Sequence, residues 1–293
     1  MKRDLSNRSL AVFILPGAFL VLLLLGWPIF QSVVSSLSEQ PHSASDSTQF
    51  VGLMHFKTLL SQSAFWNSLW LAVSFTVSTT LIELTIATLV ALFLYFQKPV
   101  GRVVEVLLIL PMFVLPVVSG LTFRYIYDPN DGPLSVVFQL FDYEPISPLA
   151  DSFWSFWAIV LQDVWRMWPF LFLVIYAGLK ALPKSAQEAA RIDGAATKAL
   201  IWHIVLPALR PTLAIAIGLK IMESLKVFTE VYVMTGGGPG DSTSLISLFV
   251  VKQAFHFFQI GPASAASVVL LVLGMSLAWT ITKMQTQPKT TSG

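Results

Sequence analysis

Six long apolar segments constrain this chain more than any other feature of its sequence. A bilayer core about 30 Å thick requires about 20 helical residues, each rising about 1.5 Å. Segments of that length occur at residues 10–36, 66–96, 103–124, 153–179, 210–234 and 263–282. Hydrophobic residues make up 55% of the chain and charged residues 12%, against about a quarter charged in an ordinary soluble domain. The sequence therefore predicts an all-α protein that crosses a membrane six times.

The first segment is too long to be the core of a cleaved signal peptide. It carries no charge from Ser9 to Ser38, whereas a signal-peptide core has about 7 to 15 apolar residues. We therefore expect a retained helix. The chain is expected to divide into an N-terminal part with the first span and an external loop (1–65), a five-helix core (66–284) and a C-terminal tail (285–293).

The basic residues outside these segments predict the orientation of the chain. They concentrate at both ends, after the second segment and after the fourth, at Lys2, Arg3, Arg8, Lys98, Arg102, Lys180, Lys184, Arg191, Lys198, Arg210, Lys283 and Lys289. The alternate loops hold Lys57 and Lys252, and one of them is acidic, with Asp128, Asp131, Asp142, Glu144 and Asp151. Because loops rich in Lys and Arg stay in the cytoplasm, both termini are predicted to be cytoplasmic.

The sequence lacks the residues that many enzymes require. It contains no cysteine, so no disulfide, thiolate nucleophile or cysteine metal site is expected. It has no G-x-x-x-x-G-K-[ST] phosphate loop and no H-E-x-x-H pair, so any ATP and Mg would have to be bound by a partner. A net charge of +2 is too small to indicate nucleic-acid binding. We expect no catalytic residue and no metal ligand in this chain.

The loop at 182–211 is too polar to span the membrane and is rich in alanine. Ser185 and Glu188 form a capping-box pattern that predicts the start of a short helix. Gly194 then permits a turn, and a second helical stretch is predicted from Thr197 to Pro207. This helix-turn-helix elbow has two interpretations from composition alone: it docks another protein, or it lies passively on the membrane.

Charged residues occur inside the apolar segments, where each costs at least about 2.5 kcal/mol on insertion scales. Away from the ends of the segments, at the depth of the bilayer, these residues are Glu83, Asp163, Arg166, Lys220, Glu223, Lys226 and Glu230. At about 100° per residue, the four in the fifth segment share a stripe about 120° wide, which suits the wall of a water-filled path.

The alternative is neutralisation within each helix. Asp163 with Arg166, Glu223 with Lys226, and Lys226 with Glu230 all have the spacing of helical neighbours. Glu83 has no basic neighbour at helical spacing, so it either bonds to another helix or lines the path. The prolines Pro111, Pro116 and Pro169 are expected to kink the third and fourth segments.

The elbow contains a longer pattern, formed by Glu188, Ala189, Ala190, Asp193, Gly194, Ile204, Leu206 and Pro207. This pattern resembles the EAA loop of ABC importer permeases, which reads E-A-A-x-x-x-G followed by I-x-L-P. In that family the loop forms a coupling helix that seats in a groove of the ATPase subunit, and the glutamate contacts the ATPase. The resemblance implies a type I ABC importer permease fold with a cytoplasmic coupling helix.

Further motifs occur at Pro116 to Leu121, Trp168 to Phe170, Ala177 to Leu179 and Thr235 to Gly240. They resemble sugar importers of the maltose type, and the layout without a large external insert is similar to the shorter trehalose, polyol and glycerol-phosphate permeases. In that family three mid-membrane helices contact the sugar. Mapped by these strings, with Glu223 added as a hydrogen-bonding carboxylate, the implied substrate path comprises Met112, Pro116, Asp163, Trp165, Arg166, Met167, Phe170, Glu223, Ser224 and Val227.

The resemblance also implies partners. They are a second related permease subunit, two ABC ATPase subunits that bind ATP and Mg, an external solute-binding protein and a sugar, in the bacterial cytoplasmic membrane. Trp165 and Phe170 could instead serve ordinary bundle packing. Two other functions remain open: a proton-coupled secondary transporter with Glu83 and Asp163 as relays, and an ABC permease for a charged solute.

Overall fold

The computed structural model describes residues 15–39, 48–97, 101–144 and 146–286. Residues 10–14 of the first predicted segment and the basic residues Lys2, Arg3, Arg8, Lys98 and Lys289 lie outside these ranges. The helices are α1 (Leu15–Ser36), α2 (Met54–Ser61), α3 (Ser63–Phe96), α4 (Arg102–Ile109), α5 (Pro116–Ile126), α6 (Pro133–Leu140), α7 (Ser152–Lys180), α8 (Lys184–Ile192), α9 (Thr197–Ser224), α10 (Thr229–Met234), α11 (Ile246–Val251) and α12 (Ile260–Thr286).

Within the described ranges, five helices are long and apolar enough to cross a membrane, namely α1, α3, α7, α9 and α12. The third predicted segment is broken: α4, extended by the 3-10 turn Leu110–Phe113, and α5 pass the same test together but are bent by 92°. Pro116 explains the break, because a proline pushes the preceding residue out of the helical region, and Leu115 has a ψ of 141°. The kink predicted there is thus a full interruption. At Pro169, in contrast, α7 runs on without a break.

The bounds predicted for the second half of the elbow and for the fifth segment are wrong. One helix, α9, runs from Thr197 to Ser224 through Pro207. A π-turn at Ile201–Val205, in which the Leu206 N–H donates to the Ile201 carbonyl, widens the helix just before the proline. In a regular helix a proline ring clashes with the carbonyl group four residues earlier. Here the π-turn replaces the regular hydrogen-bond pattern at that point.

The chain forms two compact units. The first comprises the described residues of 15–65 together with 250–273, and it contains α1, α2, the start of α12 and a small ribbon. In that ribbon β1 (Ser38–Glu39) pairs antiparallel with β2 (Gln49–Phe50). His55 of α2 is buried and its Nε2 lies 3.3 Å from the Ser38 carbonyl. The apolar side chains of α1 are exposed, as expected for a surface in contact with lipid or another chain.

The second unit holds α3 to α10 and contains two apolar clusters along α3 and α7. One cluster includes Phe75 and Val164, and the other includes Ala87 and Leu171. Between these levels, α3 carries Glu83 and α7 carries Asp163 and Arg166. Charged side chains therefore lie between two apolar layers, which requires that each charge find a partner.

Candidate functional site

Lys220 of α9 is at the centre of a buried ion network. Its Nζ lies 2.7 Å from Glu83 Oε1 on α3 and 2.6 Å from Asp163 Oδ2 on α7. The three side chains are at most 1% exposed. One ammonium group near the end of α9 therefore joins this helix to the middle of α3 and of α7.

Arg166 extends this network to a fourth helix. Its Nη2 lies 2.7 Å from Glu230 Oε1 on α10 and 3.6 Å from Asp163 Oδ1 on its own helix. The fully buried Gln162 donates a hydrogen bond of 2.9 Å from its Nε2 to Ser119 Oγ on α5. Polar side chains thus tie α7 to α3, α5, α9 and α10. Removing one partner of such a buried pair typically costs about 3–5 kcal/mol, because the other charge is left without compensation.

The structure decides between several sequence predictions for these charges. The Asp163–Arg166 pair is confirmed, and so is the bond from Glu83 to a neighbouring helix. Glu223 and Lys226 also pair, at 3.6 Å, although their side chains are 42% and 73% exposed.

Two predictions for the fifth segment are wrong. Lys226 and Glu230 do not pair, and the four charges of this segment do not form one stripe, because α9 ends at Ser224 and α10 begins only at Thr229. Phe228 between them has a φ of −136° and a ψ of −54°, which breaks the helical phase. Lys220 and Glu230 are buried, whereas Lys226 is exposed.

The ten residues of the implied substrate path lie in different environments. Asp163 and Arg166 belong to the buried network. Trp165 is 39% exposed, and its ring centroid lies 5.4 Å from that of Phe123 on α5, a neighbour that sequence reasoning missed. Phe170 packs against the apolar cluster that contains Leu171. Met167, Ser224 and Val227 are buried, and Met112, Pro116 and Glu223 are half-buried.

The elbow begins differently from the predicted capping box. α8 begins at Lys184, Pro183 is its N-cap residue, and no side chain caps it. Ser185 therefore lies inside the helix, so the capping-box prediction is wrong. The turn predicted at Gly194 is confirmed: this residue has a φ of +80°, a conformation that glycine adopts without steric cost.

The two halves of the EAA-like pattern face different surroundings. On α8 and in the turn, the residues Glu188, Ala189, Asp193 and Gly194 are exposed, while Ala190 is half-buried. Ile204, Leu206 and Pro207 on α9 are half-buried, and Ile204 packs against the apolar cluster at the ends of α3 and α7. The second half of the pattern thus anchors the elbow to the bundle, and the first half presents a polar face.

A groove of about 410 Å³ lies beside this polar face. It is lined by Tyr95, Phe96, Gln187, Glu188 and Arg191. Gln187 is buried, and it forms hydrogen bonds with the hydroxyl of Tyr95 at the end of α3.

The acidic loop between α5 and α7 contains a locally ordered aspartate. Asp128 Oδ1 accepts hydrogen bonds from the backbone N–H groups of Asp131, at 3.1 Å, and Asn130, at 2.9 Å. These bonds favour the ionised form and lower the pKa of Asp128. In the described part of the chain no group of His, Asp and Glu side chains is arranged to hold a metal ion.

The apolar helices, the buried network and the broken third span are those of a helical membrane protein, and comparisons with known proteins identify its family. The signature of the family described as binding-protein-dependent transport system inner membrane component matches residues 83–284. The chain therefore belongs to this family. It is a multi-pass inner-membrane component of a binding-protein-dependent transport system. Such a system takes up its solute with partner subunits, so the proton-coupled secondary transporter is no longer a candidate.

Two transport system permease proteins are similar to this chain over nearly its whole length. The trehalose/maltose transport system permease protein MalF of Thermococcus litoralis is 33% identical over 263 residues, which is 88% of this chain and 85% of that protein. The sulfoquinovosyl glycerol transport system permease protein SmoG of Agrobacterium fabrum is 30% identical over 277 residues, 93% of this chain and 89% of that protein.

A solved structure is similar in fold. The crystal structure of a bacterial alginate ABC transporter in complex with an alginate pentasaccharide-bound periplasmic protein contains a chain that matches with a TM-score of 0.83 and 19% identity. The match covers 94% of this chain and 93% of that chain. This confirms the predicted type I ABC importer permease fold.

Proposed function

We propose that this chain is a permease subunit of an ATP-driven sugar importer, that it forms half of the translocation path, and that it couples to the ATPase subunits through the elbow. The observation that carries the proposal is the polar face of α8, on which Glu188 is exposed, followed by the left-handed turn at Gly194. The sugar is supported by the relatives, whose names assign them to trehalose, maltose and sulfoquinovosyl glycerol transport.

The coupling role is supported by the different surroundings of the two helices of the elbow, α8 and α9. α9 is anchored through the buried side chains of Leu200, Val205 and Leu209, so the elbow is held firmly by the bundle. The outer side of α8 leaves Glu188 and the 86% exposed Ile192 available to a partner. An ATPase subunit with a groove that contains a basic residue and an apolar pocket would bind this face.

The proposed path consists of the surfaces that the bundle leaves open. Trp165 with its neighbour Phe123 offers an aromatic face, and Glu223 offers a half-buried carboxylate. Aromatic rings and hydrogen-bonding carboxylates are suited to a sugar, which has apolar faces and hydroxyl groups. Because Trp165 is 39% exposed in this chain alone, a second related permease subunit is proposed to close the path opposite it.

The remaining assembly follows from this assignment. Two ABC ATPase subunits would bind ATP and Mg and dock on the elbow and on its counterpart in the second permease, and a solute-binding protein would deliver the sugar from outside. Both termini and the elbow would be cytoplasmic, as the distribution of Lys and Arg predicts.

The coupling proposal is tested with Glu188→Ala and Gly194→Val. We expect both variants to reach the membrane. Glu188→Ala removes an exposed carboxylate, and a desolvated charge pair at an interface is typically worth about 2 kcal/mol or more, so assembly or substrate-stimulated ATP hydrolysis should fall. Gly194→Val forces a β-branched residue into a φ of +80° and should distort the elbow.

The controls separate coupling from expression. Glu144→Ala removes an exposed carboxylate from the acidic loop, and Gly194→Asn introduces a residue that tolerates positive φ, so both should behave like the wild type. Each variant is purified with the partner subunits and assayed for complex recovery, ATP hydrolysis and sugar uptake. Normal recovery and normal coupled hydrolysis in Glu188→Ala and Gly194→Val would refute the docking role.

The path proposal is tested with Trp165→Ala. We expect sugar uptake to fall while ATP hydrolysis stimulated by the loaded binding protein continues, because the elbow is unchanged. Trp70→Ala is the matched control, since Trp70 is an exposed tryptophan on α3, 69% exposed, outside the proposed path. Equal uptake by the two variants at equal expression would remove Trp165 from the path.

A further inference from the structure

Gln187 differs from its neighbours in the exposed part of the elbow because its side chain points into the protein. It is 7% exposed, whereas Glu188 and Ala189, which follow it, are exposed. Ala190, three residues further along α8, is half-buried and packs against the apolar cluster of the bundle. Residues three apart share one face of a helix, so Gln187 and Ala190 define the inner face of α8.

The partner of Gln187 is the hydroxyl group of Tyr95, one residue before the end of α3. The Tyr95 hydroxyl donates to Gln187 Oε1 at 3.2 Å, and Gln187 Nε2 lies 3.0 Å from the same hydroxyl oxygen as a donor. Both ends of the amide therefore contact one phenol group. This contact remains whichever way the amide is turned, because the hydroxyl can both donate and accept.

α8 depends on such contacts. It is only nine residues long, and an isolated helix shorter than about 12 residues is marginally stable in water. It is followed by the turn at Gly194, so its direction is not set by a continuous helix. A buried amide that bonds to another helix fixes both the place and the rotation of α8 on the bundle.

We propose that Gln187 and Tyr95 form a clamp through which a displacement of α8 is passed to α3. Gln187 is a positioning residue in this scheme: Glu188 contacts the ATPase, and the clamp makes α3 move with α8. α3 also holds Glu83 of the buried network, which lies about 18 Å from Tyr95 along the helix at about 1.5 Å per residue. The clamp therefore rests on the proposed coupling function and specifies the helix that first receives the movement.

The clamp is tested by the amount of sugar transported per ATP hydrolysed by the complete complex. Tyr95→Phe removes only the hydroxyl, and Gln187→Met removes both polar atoms of the amide. We expect assembly and stimulated ATP hydrolysis to persist and transport per ATP to fall about 5-fold in each, as expected for the loss of about 1 kcal/mol of hydrogen bonding. The double variant should show the same loss as either single variant, because both remove one contact.

Two further variants separate the clamp from a general packing role. Gln187→Glu keeps an oxygen that accepts from the Tyr95 hydroxyl and should restore transport per ATP at least in part. If Gln187→Met is not expressed, Tyr95→Phe alone tests the loss of the contact. Tyr176→Phe removes a hydroxyl from a tyrosine of α7, whose ring stacks on Phe172 at 5.3 Å, and should match the wild type.

The outcomes distinguish this inference from the coupling function on which it rests. If Glu188→Ala lowers coupling while Tyr95→Phe and Gln187→Met transport as much sugar per ATP as the wild type, the clamp is refuted and the docking role stands. If Glu188→Ala, Tyr95→Phe and Gln187→Met all leave coupling unchanged, both proposals fail. Additive losses in the double variant would also overturn the clamp, because independent contributions are not expected of one contact.

Discussion

The buried network and the outer face of α8 both carry charged residues, but the two regions satisfy them in opposite ways. In the network, Lys220 contacts two carboxylates at 2.6 and 2.7 Å, and its side chain is 1% exposed. On α8, Glu188 is exposed and forms no ion pair with any side chain that the structure describes. The first region pairs its charges within the chain, and the second leaves a carboxylate exposed.

This difference separates stability from function. A buried charge that loses its partner is costly, so the network is expected to hold α3, α7, α9 and α10 in one arrangement. An exposed carboxylate is already solvated and contributes little to folding. Substitutions in the network should therefore lower the stability of the permease. Substitutions on the outer face of α8 should change only the binding of partner subunits.

The largest effect is expected for Lys220→Met. The change leaves Glu83 and Asp163 buried without their common cation and should lower the free energy of unfolding by about 3–5 kcal/mol. Thermal unfolding of the purified chain in detergent measures this. Lys226→Met is the matched control, because Lys226 is 73% exposed in its pair with Glu223 and should cost no more than about 1 kcal/mol. Equal losses in the two variants would contradict the distinction between buried and exposed charges on which the comparison rests.

The sequence predicted the network only in part. Helical spacing indicated Asp163 with Arg166, and the isolation of Glu83 indicated a bond to another helix. The partners Lys220 for Glu83 and Glu230 for Arg166 could not be chosen, because spacing along one helix does not say which faces of different helices meet. The available signal for the first pair was that Glu83 has no basic neighbour on its own segment while another segment carries Lys220.

The fold was more predictable than its interruptions. Length and hydropathy indicated the apolar segments, since both follow from the thickness of the bilayer. The continuity of α9 through Pro207 could not be predicted, because it depends on the π-turn at Ile201–Val205. The end of α9 at Ser224 also could not be predicted, because no Pro or Gly marks it in the sequence. Val227, which lies in the break, is buried in the apolar cluster that contains Phe75.

The second-largest loss of stability is expected for a glycine of the bundle, Gly178, which can be compared with Gly194 of the elbow. A Cβ at Gly178 of α7 would lie 2.5 Å from Thr212 Cγ2 and 2.7 Å from Thr212 Oγ1 of α9. Gly178→Ala should therefore destabilise the chain by about 1–3 kcal/mol through overpacking. Thr212→Ala should relieve part of this loss in the double variant, which thermal unfolding would measure. Stability unchanged by Gly178→Ala would show that α7 and α9 can separate without cost.

A smaller effect is expected for Gly194→Ala in the elbow, and its cause is different. Apart from Gly194 and its two chain neighbours, no described residue has an atom within 4 Å of a Cβ built at this position, but the φ of +80° disfavours alanine by about 1–2 kcal/mol. The loss should appear as faster cleavage of the elbow by a protease, while the unfolding temperature of the bundle changes less than in Gly178→Ala. Gly194→Asn should be protected, since asparagine adopts this conformation more readily. Equal cleavage of both variants would mean that the positive φ is not what holds the turn.

The smallest effect on stability is expected for Glu188→Ala, although it is the change expected to matter most for coupling. The side chain is exposed, so its removal deprives no buried group of a partner, and alanine favours a helix slightly more than glutamate does. The free energy of unfolding of the isolated permease should therefore change by no more than about 0.5 kcal/mol. The same purified variant is then combined with the partner subunits and assayed for substrate-stimulated ATP hydrolysis. A loss of hydrolysis with unchanged stability would separate the two regions as proposed. A loss of stability similar to that of Lys220→Met would instead make Glu188 part of the fold, and the polar face of α8 would no longer be available to a partner.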